Sequence, residues 1–180
     1  MSFWQFIPYD QGGNLADAYN RYCSIVPGDN DWIIIWDGDV MVLTPEWEKV
    51  IKDTIRIYPN YTLYTCYTNR VKCRPQLQKD LFHEPDIRKH RKRALELYNT
   101  RRHHVKEIRR VISGYCMIFQ KKTWKRFPFR GKGIIGIDTY FSRDILMAGL
   151  GIGLIEGVYV YHYYKFNEGV RFEPYKNQQK

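Results

Sequence analysis

The sequence is short of the features that mark several whole classes of protein. Its 180 residues include only four cysteines, Cys23, Cys66, Cys73 and Cys116. None stands in the short paired spacing that gathers thiolates around zinc, and four are too few for a secreted disulfide scaffold, so reduced structural thiols are expected. No basic stretch followed by an apolar run opens the chain. The most apolar later run, 152–161, is brief and carries Glu156, which is too short and too polar to cross a bilayer. A soluble, intracellular and cytoplasmic protein is the expectation, and the Asn60-Tyr61-Thr62 glycosylation sequon then carries no weight. There is no internal repeat and no low-complexity tract. What is present in quantity is core material: 44% hydrophobic and 16% aromatic residues exclude a disordered or collagen-like chain and predict one compact domain.

Acidic residues are also in deficit, 19 against 29 Lys and Arg, for a net charge of +10. The imbalance is local. Residues 70–132 hold 20 basic and five acidic side chains, a local +15, and the remaining nine basic and 14 acidic residues leave −5 elsewhere. Any electrostatic affinity for an anionic partner therefore belongs to the middle of the chain.

Hydrophobic periodicity sets the coarse organisation. Phe3 to Pro8 is a short apolar-aromatic run, followed by Gly12-Gly13-Asn14, where Asn14 is placed to cap a helix. Leu15, Ala18, Tyr19, Tyr22 and Ile25/Val26 recur at helical steps up to Pro27-Gly28. Trp32-Ile33-Ile34-Ile35-Trp36 reads as a strand buried on both faces in a mostly parallel sheet. Thr44-Pro45 is a helix start with Thr44 as cap, and Trp47, Val50, Ile51, Ile55 and Tyr58 share the face that follows. Tyr61 to Tyr67 and Tyr115 to Phe119 read as strands. Between them Ile87, Ala94, Tyr98, Val105, Ile108 and Ile112 predict an amphipathic helix or helix pair that carries the basic residues. A helix over about 138–148 and a strand over 154–161 complete an α/β domain around one mixed, mostly parallel central sheet flanked by helices. Residues 1–166 form the predicted domain, with a basic helical insertion at about 80–112, and 167–180 form a polar tail.

Ligands of such sheets bind beyond the carboxyl ends of strands, which directs attention to Asp37-Gly38-Asp39. Two carboxylates at the mouth of so apolar a strand repel each other and lose hydration unless a cation lies between them. A hard divalent ion, Mn²⁺ or Mg²⁺, does that with oxygen ligands and keeps positions open for a substrate's phosphates. The plain alternative is a solvent-facing turn, but here the acids interrupt two apolar segments. Asp138 follows the glycine-rich 131–137 loop and opens a helix, whose dipole is expected to keep it ionised; its alternative role is a helix cap. His162 ends an apolar strand, where a hydrogen-bonded core histidine is the alternative to a ligand.

Phe6-Ile7-Pro8-Tyr9, then residues 13–20, then Asp31 to Asp39 resemble the nucleotide-sugar half of a GT-A fold glycosyltransferase of the family 2 type. Residues 113–118 with Lys122-Thr123-Trp124, then 136–141, then 157–162 resemble its acceptor half in order and spacing. The resemblance covers most of the chain apart from the basic insertion and the tail. It implies a single GT-A domain that moves a sugar from a nucleotide-diphosphate donor to a hydroxyl of a glycan or other acceptor. Asp37, Asp39 and His162 would be ligands of Mn²⁺ or Mg²⁺. Pro8, Tyr9, Asp10, Asn14, Asp37, Gly38, Asp39 and Lys165 would contact the nucleotide sugar, with Pro8, Tyr9 and Asp10 near base and ribose. Asp138 would be the general base of an inverting reaction, and Lys165 would meet the diphosphate or remain a solvated lysine. The chain lacks the further strand and acidic uridine contact that many members carry after the first strand, so the resemblance assigns no donor base.

The basic middle, with Arg88 to Arg93, Arg101-Arg102 and Arg109-Arg110, is either a solvated outer helix face or a docking surface for an anionic acceptor, a membrane surface or nucleic acid. Two other functions fit fewer of these features. One is a metal-dependent nuclease using the same aspartates with a second ion; the other is a non-enzymatic nucleic-acid-binding domain using the basic helix.

Overall fold

A computed structural model of the protein describes residues 2–163; Lys165 and the tail 167–180 lie outside the described residues. The strands are β1 (Phe3–Phe6), β2 (Trp32–Trp36), β3 (Val40–Val42), β4 (Tyr61–Thr68), β5 (Val105–Ile108), β6 (Cys116–Gln120) and β7 (Gly151–His162). The helices are α1 (Leu15–Ser24), α2 (Trp47–Ile57), α3 (Ile87–Arg101), α4 (Lys121–Arg126) and α5 (Ile137–Met147), with two short 3₁₀ turns at Arg74–Gln76 and Lys79–Leu81. The seven strands form one open sheet in the order β1-β2-β6-β4-β7-β3, and β5 also pairs with β7.

The sheet is mixed, as expected, but it is not mostly parallel. Only β1–β2 and β4–β7 run parallel; β2–β6, β4–β6, β3–β7 and β5–β7 are antiparallel. The expectation rested on β2, whose five residues are all buried. That burial comes from helices on both faces, whatever the direction of the neighbouring strands. The strand period of two divides its side chains between the faces. Trp32, Ile34 and Trp36 pack with Val50, Ile51 and Ile55 of α2. Ile33 and Ile35 pack with Ala16 and Tyr19 of α1 and Phe141 and Ile145 of α5. Each such buried aliphatic side chain contributes on the order of 1.5–3 kcal/mol, so this one strand anchors both layers.

Three local expectations change. The basic segment is not a helix pair: α3 ends at Arg101 and the chain returns as β5 along β7. Thr44 does not cap α2. Its hydroxyl accepts from the Tyr159 amide at 2.8 Å, and α2 begins instead after Glu46, whose φ of 47° is the only positive value at a non-glycine among the described residues. The Glu46 carboxylate accepts from Tyr98 at 2.9 Å and from Arg102 at 2.8 Å, which ties the start of α2 to the end of α3. Asn14 occupies the cap position of α1, yet its side chain donates to Asp17 instead of accepting from the helix.

α3 covers the far part of β7. Ala94 and Leu97 pack on Tyr159, and the buried His90 ring meets the Tyr159 hydroxyl at 2.7 Å and the Glu84 carbonyl at 2.8 Å. Among the described residues no helix is long and apolar enough to cross a membrane.

Candidate functional site

The turn after β2 and the end of β7 bring three of the predicted residues together. Asp37 is held where β2 leaves the sheet, its amide donating to the Tyr115 carbonyl at 3.1 Å. Asp39 opens β3, and its carbonyl accepts from the Tyr163 amide at 2.9 Å. Val40 pairs directly with His162 in the β3–β7 ladder. One carboxylate oxygen each of Asp37 and Asp39 and one ring nitrogen of His162 lie within 4.8 Å of one another, and His162 Nε2 is 3.2 Å from Asp39 Oδ1. Gly38 joins the acids. Among the described residues a methyl group there would meet only Ile7 Cγ2, at 3.7 Å.

The carboxylates differ in electrostatic setting. Burial pushes the Asp37 carboxyl up to about 6; His162 opposes that rise, and the neighbouring Asp39 and Asp138 add to it. The hydrogen bond from His162 holds Asp39 below its usual range, against a smaller effect of burial. A buried acid raised by two other acids is a site short of positive charge. Two hard carboxylate oxygens with one imidazole nitrogen suit Mn²⁺, which accepts nitrogen, better than Mg²⁺, which favours oxygen alone.

Asp138 reaches the same end of the sheet from the first turn of α5. Its Oδ2 accepts from the Gly114 amide at 2.8 Å and its Oδ1 from the Thr139 amide at 2.7 Å. The helix start does not decide its ionisation as expected. Burial outweighs both hydrogen bonds and raises its pKa above the ordinary carboxylate value, because desolvation of a charge exceeds what one helix terminus returns. Asp37 and Asp138 both act on the buried Tyr19 phenol, which burial raises still further.

The remaining predicted contacts lie around this centre. Tyr9 is exposed on the loop after β1, with its carbonyl accepting from Arg21 at 3.0 Å. Asp10 accepts from the Asn14 amide at 2.9 Å, so Pro8, Tyr9, Asp10 and Asn14 form one folded loop leading into α1. That loop adjoins the 131–136 segment, where the Gly133 carbonyl accepts from Leu15 at 3.1 Å. Lys165 lies outside the described residues.

Two residues that the sequence reading passed over shape the site. Asn69 is fully buried just past β4. Its Nδ2 donates to the His162 carbonyl at 3.3 Å and its Oδ1 accepts from the His162 amide at 2.8 Å. Gly114 approaches Asp138 so closely that a methyl group would lie 2.7 Å from the Asp138 Cβ. A signal existed for each: Asn69 follows a predicted strand end, where sites gather, and Gly114 immediately precedes another strand. No protein-family model matches the chain, and no curated protein matches it.

Proposed function

We propose that this protein is a metal-dependent glycosyltransferase of the GT-A type, transferring a sugar from a nucleotide-diphosphate donor to a hydroxyl with inversion. The observation that carries the reading is the meeting of Asp37, Asp39 and His162 at one sheet end, with Asp138 near enough to influence the ionisation of Asp37. Asp37, Asp39 and His162 would hold Mn²⁺, or less suitably Mg²⁺. Bound there, the ion would neutralise the charge of the departing diphosphate.

The chain's own groups supply the rest. Gly38 carries no side chain between the two acids, and among the described residues only Ile7 comes near the space a methyl group would take there, which suits a diphosphate beside the acids. The loop of half-buried Pro8, exposed Tyr9 and half-buried Asp10 offers a stacking face and a carboxylate to base and ribose. The Asp138 carboxylate is anchored by two backbone amides, which fixes its orientation towards an incoming hydroxyl. Its raised pKa makes it a better acceptor for that hydroxyl's proton than a solvated aspartate.

Titration of the protein with UDP and GDP, with and without Mn²⁺, tests the reading. Nucleotide binding that depends on Mn²⁺ and is lost in Asp39→Asn supports it; binding indifferent to both refutes it. Cleavage of DNA or RNA that requires Asp37 would favour a nuclease. Salt-sensitive duplex binding indifferent to Asp39→Asn would favour a nucleic-acid-binding module.

A further inference from the structure

The loop before α5 carries two apolar side chains that nothing among the described residues covers. Ile134 and Ile135 are 68% and 84% exposed, and Ile135 is the most exposed large hydrophobic side chain among the described residues. They stand between Gly133 and Gly136, whose φ angles of 74° and 83° turn the chain on either side of the pair, a conformation that glycine adopts without strain. The loop is anchored. The Gly133 carbonyl accepts from the Leu15 amide at 3.1 Å, and both Gly131 and Gly136 border the Tyr140 ring, which a methyl group on either would meet at 3.7 and 4.0 Å. One exposed isoleucine is ordinary; two in succession at the tip of an anchored loop form a patch that asks for an occupant.

The same tyrosine gathers positive charge beside that tip. The Arg130 and Arg143 guanidinium groups lie 4.9 and 5.7 Å from the centre of the Tyr140 ring, and Lys132 is exposed within the loop itself. Apart from Asp138, whose carboxylate is taken by the Gly114 and Thr139 amides, residues 130–147 hold three cations and one acid. That acid, Asp144, gives both its oxygens to Arg130, at 2.7 and 3.0 Å. The surface is therefore left positive. α5 extends it, because Tyr140, Arg143, Asp144 and Met147 recur at three- and four-residue steps and so share one face, and Met147 at the end of that face is 79% exposed.

Apolar tips and cations mixed on one face match the boundary between lipid headgroups and acyl chains. The basic helix α3 lacks this mixture: Leu95 is its exposed large apolar side chain, and Arg88, Lys89 and Arg93 are answered by Asp86, Glu84 and Asp80. A second copy of the chain fits the face poorly, since a two-fold contact would set its cations against themselves. We propose that the 130–136 loop and the outer face of α5 dock the protein on an anionic lipid bilayer, with Ile134 and Ile135 entering the headgroup–acyl boundary and Lys132 and Arg143 meeting lipid phosphates. Docking of this kind does not rest on the glycosyltransferase reading.

Flotation with phosphatidylcholine vesicles, with and without phosphatidylglycerol, tests it. Binding to the anionic vesicles and not to the neutral ones is expected. It should weaken about tenfold or more in Ile134→Ser/Ile135→Ser and in Lys132→Gln/Arg143→Gln, and stay unchanged in Arg91→Gln/Lys92→Gln, which alters the outer face of α3. Ile135→Trp reports insertion directly: lipids brominated in their acyl chains should quench its fluorescence beyond the quenching of the native protein's tryptophans. No binding to anionic vesicles, undiminished binding by the double-serine variant, an equal loss in the α3 variant or no added quenching overturns the proposal. So does a native dimer in analytical ultracentrifugation that Ile134→Ser/Ile135→Ser dissociates, since a second copy would then cover the face.

Discussion

Asn69 holds His162 by both backbone groups at once, with its side-chain amide taking the part of a missing strand residue: one oxygen accepts at 2.8 Å and one nitrogen donates at 3.3 Å. The contact acts on the position of the imidazole without touching it. Asn69→Ala should cost about 1–3 kcal/mol in urea unfolding, because two buried backbone groups lose their partner. It should also weaken Mn²⁺ about tenfold, as loss of a ligand's support does. Asn69→Asp keeps the acceptor and should recover part of both. Unchanged Mn²⁺ affinity in the destabilised alanine variant would make Asn69 purely structural.

Gly114 sets the place of Asp138. Gly114→Ala puts a methyl group 2.7 Å from the Asp138 Cβ, so the carboxylate must shift while Asp37, Asp39 and His162 stay where they are. If the protein is the transferase proposed above, transfer should fall about a hundredfold, the usual consequence of a displacement near an ångström, with Mn²⁺ binding intact. Parallel kinetics and Mn²⁺ titrations on this one variant separate the two functions.

The raised pKa of Asp37 makes its own contribution to the stability of the metal-free protein fall as the pH rises. With its folded pKa near 6 against an ordinary value of 3.8, its contribution to stability is fully present below about pH 4 and is lost as the pH rises through about 6. Asp39, held low by His162, has the opposite sense: its contribution is present above the ordinary value and lost as the pH falls through its lower folded pKa. Asp37→Asn should therefore stabilise metal-free protein at pH 7.5, by on the order of 3 kcal/mol, with the advantage gone by pH 4. Urea unfolding at the two pH values checks this, and a difference independent of pH would place the carboxylate in water. Mn²⁺ should reverse the effect for the native protein and do nothing for the variant.

Among the described glycines, Gly157 makes the tightest approach. A methyl group there would sit 2.5 Å from the Arg102 carbonyl oxygen and 2.6 Å from its Cα, backbone that cannot step aside as a side chain would. Gly157→Ala should cost about 1–3 kcal/mol, visible as a lower thermal midpoint, while Mn²⁺ affinity at the far end of β7 is retained.

Much of this architecture was legible where the signal is local. Leu15 to Val26 and Trp47 to Tyr58 carry helical spacing, Trp32 to Trp36 is a continuous buried run, and Asp37-Gly38-Asp39 sits where a strand ends. What failed depends on partners distant in sequence. Val105 and Ile108 fit helical steps as well as a four-residue strand, and the deciding feature lies in β7. There Gly153 lets Val105 approach: an added methyl would meet its Cγ1 at 2.9 Å. Strand direction is likewise invisible in a run buried on both faces. Thr44 has the right residue type for a cap, but the Tyr159 amide, more than a hundred positions later, claims its hydroxyl. The position of Asp138 at a helix start could be read, but the depth at which it is buried could not. That depth reversed the expected direction of its pKa.

β7 is zipped along both edges, to β4 on one side and to β5 and β3 on the other. His162, at its tip, lies past the β4 pairing and is held by Val40 of β3 and by the Asn69 side chain. Amides of the doubly paired stretch should exchange with solvent only through cooperative opening of the sheet. The imidazole is consequently a fixed post. On the metal reading proposed above, any adjustment needed to admit and release an ion would fall to the half-exposed Asp39 and the turn behind it.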